Sequence, residues 1–158
     1  WPAVEEVKMQ AKVLIINGPN LNTLGTREPD IYGHSTLAEI ESHMQAILSE
    51  GQIEAEFYQS NHEGELIDKL QSTGPECDLV IINAGALTHY GIALYDALKA
   101  LGRPVIEVHM TNIYSREPFR RKSLLSPLAV GGIFGFGPLS YYLAARAAID
   151  YLGRKKAR

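Results

Sequence analysis

The sequence has a single cysteine, no long apolar run and no marked excess of charge, and each lack removes a class of protein. Its one cysteine, Cys77, excludes a disulfide framework within the chain. Placed just before an apolar run and with no adjacent base, it reads as a small buried side chain rather than a nucleophile. No stretch approaches the roughly 20 apolar residues that a membrane helix needs, and Trp1 to Ala11 carries charges where a secretory leader would be apolar. A cytoplasmic protein without membrane contact is expected. Fifteen Lys and Arg against 18 Asp and Glu give a net charge of −3, which offers no electrostatic footprint for nucleic acid. An anionic ligand would therefore be held by locally placed arginines. Internal repeats and interdomain linkers are missing as well.

Several motifs are also wanting. There is no phosphate-loop lysine motif, and Gly132, Gly135 and Gly137 do not complete a dinucleotide fingerprint, because a GxGxxG opening at Gly135 needs glycine where Ser140 stands. His62, Glu63, His89 and His109 lack a recognised metal-ligand spacing. No lysine closes a predicted strand, where a Schiff-base enzyme would place one.

What is present is a chain of 158 residues, 46% hydrophobic and 21% charged, of a size and composition that suit one domain with its own core. Four apolar runs read as buried parallel strands: Val13 to Asn17, Ile53 to Tyr58, Leu79 to Asn83 and Pro104 to His109, with a weaker fifth at Gly131 to Phe136. Helical patterns lie between them. Leu37, Ile40, Met44, Ile47 and Leu48 share one face behind a Thr36/Glu39 capping box and stop at Gly51. Ser60 and Glu63 give a second capping signal ahead of Leu66, Ile67 and Leu70, while Ile92, Ala93, Ala97, Leu98 and Leu101 form a third apolar face ended by Gly102. A last helix starts at Pro138 and runs towards Leu152. Five alternations of strand and helix imply an α/β fold, a flavodoxin-like doubly wound five-stranded parallel sheet of order 2-1-3-4-5. The expected organisation is an N-terminal extension over 1–11, a single catalytic domain over 12–152 and a solvated basic tail over 153–158.

In such sheets ligands bind beyond the carboxyl ends of the strands, where strand order reverses. Three strands there run into Asn17-Gly18-Pro19-Asn20, Asn83-Ala84-Gly85 and Glu107-Val108-His109. An ionised Glu107 inside an apolar strand is costly unless paired, and a period of two puts it on the same face as His109, where it can orient the imidazole of a general acid. Two long loops, Gly18 to Ser35 and Met110 to Val130, are candidates for lids or binding segments. The first holds Arg27 and Tyr32. A tyrosine with a reference pKa of about 10 works as a base at neutral pH only with a cation beside it; Arg27 is in reach, and Arg116 or Arg120 of the second loop can join it.

Taken in order, Ile16 to Asn22, Arg27-Glu28-Pro29 through Tyr32-Gly33, Gln59 to Glu65, Asn83 to Ala86, Glu107-Val108-His109, and Arg116 through Arg120 with Ser123 resemble the type II dehydroquinases, from about Val13 to Leu152. The resemblance implies anti elimination of water from 3-dehydroquinate to 3-dehydroshikimate through an enolate, with no metal or cofactor. It implies Tyr32 as the base with Arg27 favouring its phenolate, Asn20 stabilising the enolate oxygen through a water, and His109 as the acid supported by Glu107. It further implies that Met110 and Thr111 grip the substrate carboxylate, that Asn83, His89 and Arg120 contact ring hydroxyls, and that Gly85 lets the backbone approach closely. Arg116 would close over the site as part of a lid. Asp96 would reach a neighbouring subunit's site in a homododecamer, a tetramer of trimers.

The chain departs from the family's usual pattern at two places. Met110-Thr111 stands where an aliphatic residue and serine are usual, with the hydroxyl kept, and Tyr90-Gly91 stands where a Thr-Ser pair is common. Glycine is an acceptable helix cap, and Tyr90 is expected to narrow the pocket. The competing readings are a nucleotide-binding module and a non-catalytic protein on the same fold; retention of Arg27, Tyr32 and His109 together weighs against the second.

Overall fold

The computed structural model describes residue 3 and residues 8–158; the rest of the expected extension over 1–11 lies outside the described residues. Five strands, β1 (Ala11–Asn17), β2 (Ile53–Gln59), β3 (Leu79–Asn83), β4 (Val105–His109) and β5 (Gly131–Phe134), form one parallel sheet of order 2-1-3-4-5. The helices are a short α1 (Pro29–Tyr32), then α2 (Leu37–Glu50), α3 (Glu63–Thr73), α4 (Ile92–Leu101) and α5 (Pro138–Lys156).

The central strands are apolar on both faces because both faces are covered. Alternation sends Val13, Ile15, Ile81, Ile106 and Val108 to one side, against Ile40, Met44 and Leu48 of α2 and Tyr141, Ala144 and Ala148 of α5. Leu14, Ile16, Val80, Ile82 and Val105 go to the other, against Leu66 and Leu70 of α3 and Leu94 and Leu98 of α4. Full burial of such a side chain contributes about 1.5–3 kcal/mol, so these two layers fix the register of β1, β3 and β4. Because these strands end together, the groups that follow them meet at one edge. β5 is the weak member, short and largely exposed.

At the helix ends the structure agrees with the sequence in one case and departs from it in others. Thr36 and Glu39 form the reciprocal capping box at the start of α2. Ser60 and Glu63 do not: His62 occupies the cap of α3 without a side-chain bond, and Ser60 Oγ accepts from the His62 N–H at 2.9 Å while donating to Glu65. The serine sits two residues too early to cap, so it closes the turn before the helix instead. In α4 the buried stripe is Leu94 and Leu98, with Leu101 partly buried; Ile92 is 67% exposed and Ala93 is exposed as well. The i, i+4, i+7 spacing of the three leucines sets the rotation of the helix, and it turns the first two residues of the expected face outward. α5 runs on to Lys156 with Arg154, Lys155 and Lys156 in its last turn, a favourable place for cations, so most of the stretch read as a tail is helical.

Candidate active site

Beyond the carboxyl ends of β1, β3 and β4 lies a cleft of about 120 Å³, lined by Pro19, Asn20, Leu21, Arg27, Tyr32, Asn83, Gly85, Ala86, His89, His109, Met110, Thr111, Ile113, Arg116 and Arg120. Its floor depends on a close backbone crossing. A Cβ on Gly18 would stand 2.4 Å from the Ala84 carbonyl oxygen, and one on Gly85, whose φ is +57°, would stand 3.0 Å from the Pro19 carbonyl oxygen; neither position tolerates a side chain without displacement. Asn20 takes a left-handed conformation with φ of 69°, which asparagine accepts more readily than most residues. Its backbone N–H donates to Asn61 Oδ1 at 2.9 Å, an oxygen that also accepts from Gln59 Nε2.

One wall is cationic. Arg116 Nη1 donates to Tyr32 Oη at 3.0 Å, and the Arg27 guanidinium lies over the Tyr32 ring, 4.9 Å from its centroid. Glu117 anchors the second loop: its Oε2 accepts from Arg120 Nε at 2.8 Å and lies 3.7 Å from Arg116 Nε. A cation donating to a phenol oxygen stabilises negative charge on that oxygen.

The opposing feature is a buried acid behind a histidine. Glu107 is 4% exposed and His109 7%. Glu107 Oε1 lies 3.2 Å from His109 Nε2, but Nε2 has no aligned hydrogen bond, so the contact is electrostatic in character. Glu107 also accepts from Ser123 and, at 2.7 Å, from Ser126 Oγ. Burial alone would raise the Glu107 carboxyl; the contacts with His109, Ser123 and Ser126 outweigh it and hold the group below the ordinary value of 4.5. His89 Nδ1 faces the Lys122 carbonyl at 2.7 Å, which makes that nitrogen the protonated one in the neutral ring. Burial pushes His89 below 6.5, and the nearby charges of His109 and Arg120 act in the same direction against the pull of Lys122 and Glu107.

Of the residues singled out in the sequence, Asn20, Arg27, Tyr32, Asn83, Gly85, His89, His109, Met110, Thr111, Arg116 and Arg120 line the cleft, Glu107 backs it, and Asp96 is exposed on α4 away from it. Tyr90 does not narrow the pocket: it is 64% exposed and outside the lining, because the chain turns at Gly91, whose N–H donates to the Leu87 carbonyl. Sequence reasoning missed Glu117, Ser126 and Tyr141. Glu117, flanked by Arg116 and three residues before Arg120, left a charge-pattern signal; Ser126 and Tyr141 left none. Among the described residues, no three His, Cys, Asp or Glu side chains are grouped as a metal site.

A doubly wound parallel sheet with a polar, arginine-rich cleft at its switch point defines an α/β protein of the ligand-binding, flavodoxin-like class. The family model described as Dehydroquinase class II matches residues 11–149. A curated 3-dehydroquinate dehydratase of Francisella tularensis subsp. novicida is 54% identical over 143 residues, 90% of this chain and 97% of that protein. The type II dehydroquinase structure from Propionibacterium acnes superposes with a TM-score of 0.85 at 36% identity, covering 90% of this chain and 99% of the other. That from Butyrivibrio crossotus gives 0.83 at 42%, covering 89% and 97%. The chain belongs to the class II dehydroquinase family. As a member of that family it is an enzyme, a carbon–oxygen lyase of the hydro-lyase kind.

Proposed function

We propose that this chain converts 3-dehydroquinate to 3-dehydroshikimate by anti elimination of water through an enolate. Tyr32, as phenolate, removes the proton beside the ketone; the electron pair moves onto the carbonyl oxygen. Asn20, through a water, stabilises that oxygen where charge develops. The enolate then collapses, expelling the hydroxyl, and His109 supplies the proton that lets it leave as water. Since Nε2 of His109 faces Glu107, the opposite ring nitrogen, Nδ1, is the one suited to deliver that proton.

The observation that carries this reading is the 3.0 Å hydrogen bond from Arg116 to Tyr32 Oη in the same cleft as the Glu107-backed His109, which supplies a stabilised base and a supported acid. Arg27, over the ring face, adds a second cation for the phenolate. Met110 and Thr111 would grip the substrate carboxylate, with Asn83, His89 and Arg120 on ring hydroxyls and Arg116 closing as part of the lid. The neutral His89, with Nδ1 engaged by Lys122, offers Nε2 as an acceptor suited to a hydroxyl.

The same reading includes a cytoplasmic homododecamer in which Asp96 reaches a neighbouring subunit. The exposed apolar side chains Ile92, Phe119, Phe136, Leu139 and Leu143 are available for contacts between subunits.

The test is ultraviolet absorbance of chelator-treated protein mixed with 3-dehydroquinate, which follows the conjugated enone product. Wild type gives a rise, whereas Tyr32→Phe and His109→Ala each lose about 10²–10⁴ in turnover while keeping the fold. A flat wild-type trace overturns the activity, and near-normal turnover in either variant overturns that residue's role.

A further inference from the structure

A buried chain of hydrogen bonds runs from the floor of the cleft into α5. Gly85 N–H donates to Asn83 Oδ1 at 3.1 Å, Asn83 Nδ2 donates to Tyr141 Oη at 2.8 Å, and Tyr141 Oη donates to Asn17 Oδ1 at 2.7 Å. Tyr141 and Asn17 are fully buried and Asn83 is 4% exposed. The order of donors and acceptors follows from one end of the chain. A backbone N–H can only donate, so the Gly85 amide forces Asn83 to turn its carbonyl oxygen towards it. The Asn83 nitrogen must then face Tyr141, whose hydroxyl accepts that bond and gives its own hydrogen to Asn17.

We propose that Tyr141 is a positioning residue, acting through Asn83, that fixes which hydrogen-bonding groups the cleft floor presents to substrate. This rests on the reading that Asn83 contacts a ring hydroxyl. With one Nδ2 hydrogen held by Tyr141 and one Oδ1 lone pair held by Gly85, the side chain has one N–H and one lone pair left, in a fixed order along the floor. Tyr141 touches no reacting atom and does not line the cleft. Its hydroxyl nevertheless holds the asparagine nitrogen against rotation, and Asn17 holds the hydroxyl. The linkage also joins the carboxyl ends of β1 and β3 to α5, so the presented pattern is a property of the assembled sheet.

The test is a double-mutant cycle on Tyr141→Phe and Asn83→Ala, with turnover kinetics and side-chain amide hydrogen exchange at Asn83. Tyr141→Phe keeps the ring in its apolar site and removes only the hydroxyl. It is expected to raise KM roughly three- to tenfold, the range for one lost hydrogen bond, with kcat nearly unchanged, the pattern for lost uniform binding. In the Asn83→Ala background the same change has no further effect on KM, because there is nothing left to orient. Exchange of the Asn83 amide hydrogens is slow in wild type and fast in Tyr141→Phe. Additive effects on KM, or an Asn83 amide as protected in Tyr141→Phe as in wild type, overturn the proposal. A normal KM in Asn83→Ala, with the amide still loosened by Tyr141→Phe, instead overturns the substrate contact alone. Should Tyr141→Phe not fold, Asn17→Ser removes the hydroxyl's acceptor and carries the same measurements.

Discussion

A histidine beside two other ionisable cleft groups is useful only in a defined protonation state. His89 is pushed below 6.5 chiefly by burial, and its Nδ1 is committed to the Lys122 carbonyl, so at neutral pH it stands as the uncharged Nδ1–H tautomer. Proton–nitrogen correlation spectra across a pH titration are expected to show an Nδ1-protonated ring with a midpoint under 6.5; a midpoint at or above that value would refute the assignment. The residue types of this site were legible in the sequence, since Arg27, Tyr32, Glu107 and His109 are costly or idle in any other place. Their pairing was less so. Read from sequence, Arg27 is the cation next to Tyr32, with Arg116 or Arg120 able to join it; the fold selects Arg116, 84 positions away, as the donor to Tyr32 Oη. Which of two candidate arginines makes a contact across such a separation is decided by the fold and leaves no local pattern to read.

At the scale of elements, the strands were legible because burial on both faces demands unbroken apolar runs, and their order followed from alternation with helices. Helix rotation was harder. In α4 so many residues are apolar that more than one face satisfies the period, and the choice of Leu94 and Leu98 over Ile92 and Ala93 is made by packing. Caps and crossings make separable predictions. Thr36→Ala removes the α2 cap and is expected to lower stability by about 1 kcal/mol with turnover intact. Gly18→Ala drives a Cβ to 2.4 Å from the Ala84 carbonyl, where neither backbone can give way cheaply, and is expected to cost about 1–3 kcal/mol and to depress turnover as well, since it displaces the floor of the cleft. Denaturant midpoints and turnover measured on the same preparations decide the matter: equal activity in the two variants would show that the crossing does not set the site.

For the molecule as a whole, Glu107 links the site to acid stability. Its folded carboxyl titrates below 4.5 despite burial that alone would raise it, because His109, Ser123 and Ser126 favour the ionised form. A group depressed on folding contributes stability that is fully present above its unfolded value and lost as pH falls through its folded value. Wild type is therefore expected to lose stability relative to Glu107→Gln as pH drops below 4.5, with the difference constant at about pH 6–7. Parallel stability profiles down to the acid limit would show that folding leaves the titration of this carboxyl unchanged, and a wild type that gains on Glu107→Gln as pH falls would show that burial raises it instead. The cleft itself has a consequence for how the protein comes into being. Its lining is drawn from the segments after β1, β3 and β4 and from both long loops, so no contiguous stretch of chain holds both Tyr32 and His109. During synthesis Tyr32 emerges long before His109, and the lining is complete only once β4 and the loop after it, which supplies Arg116 and Arg120, have been made.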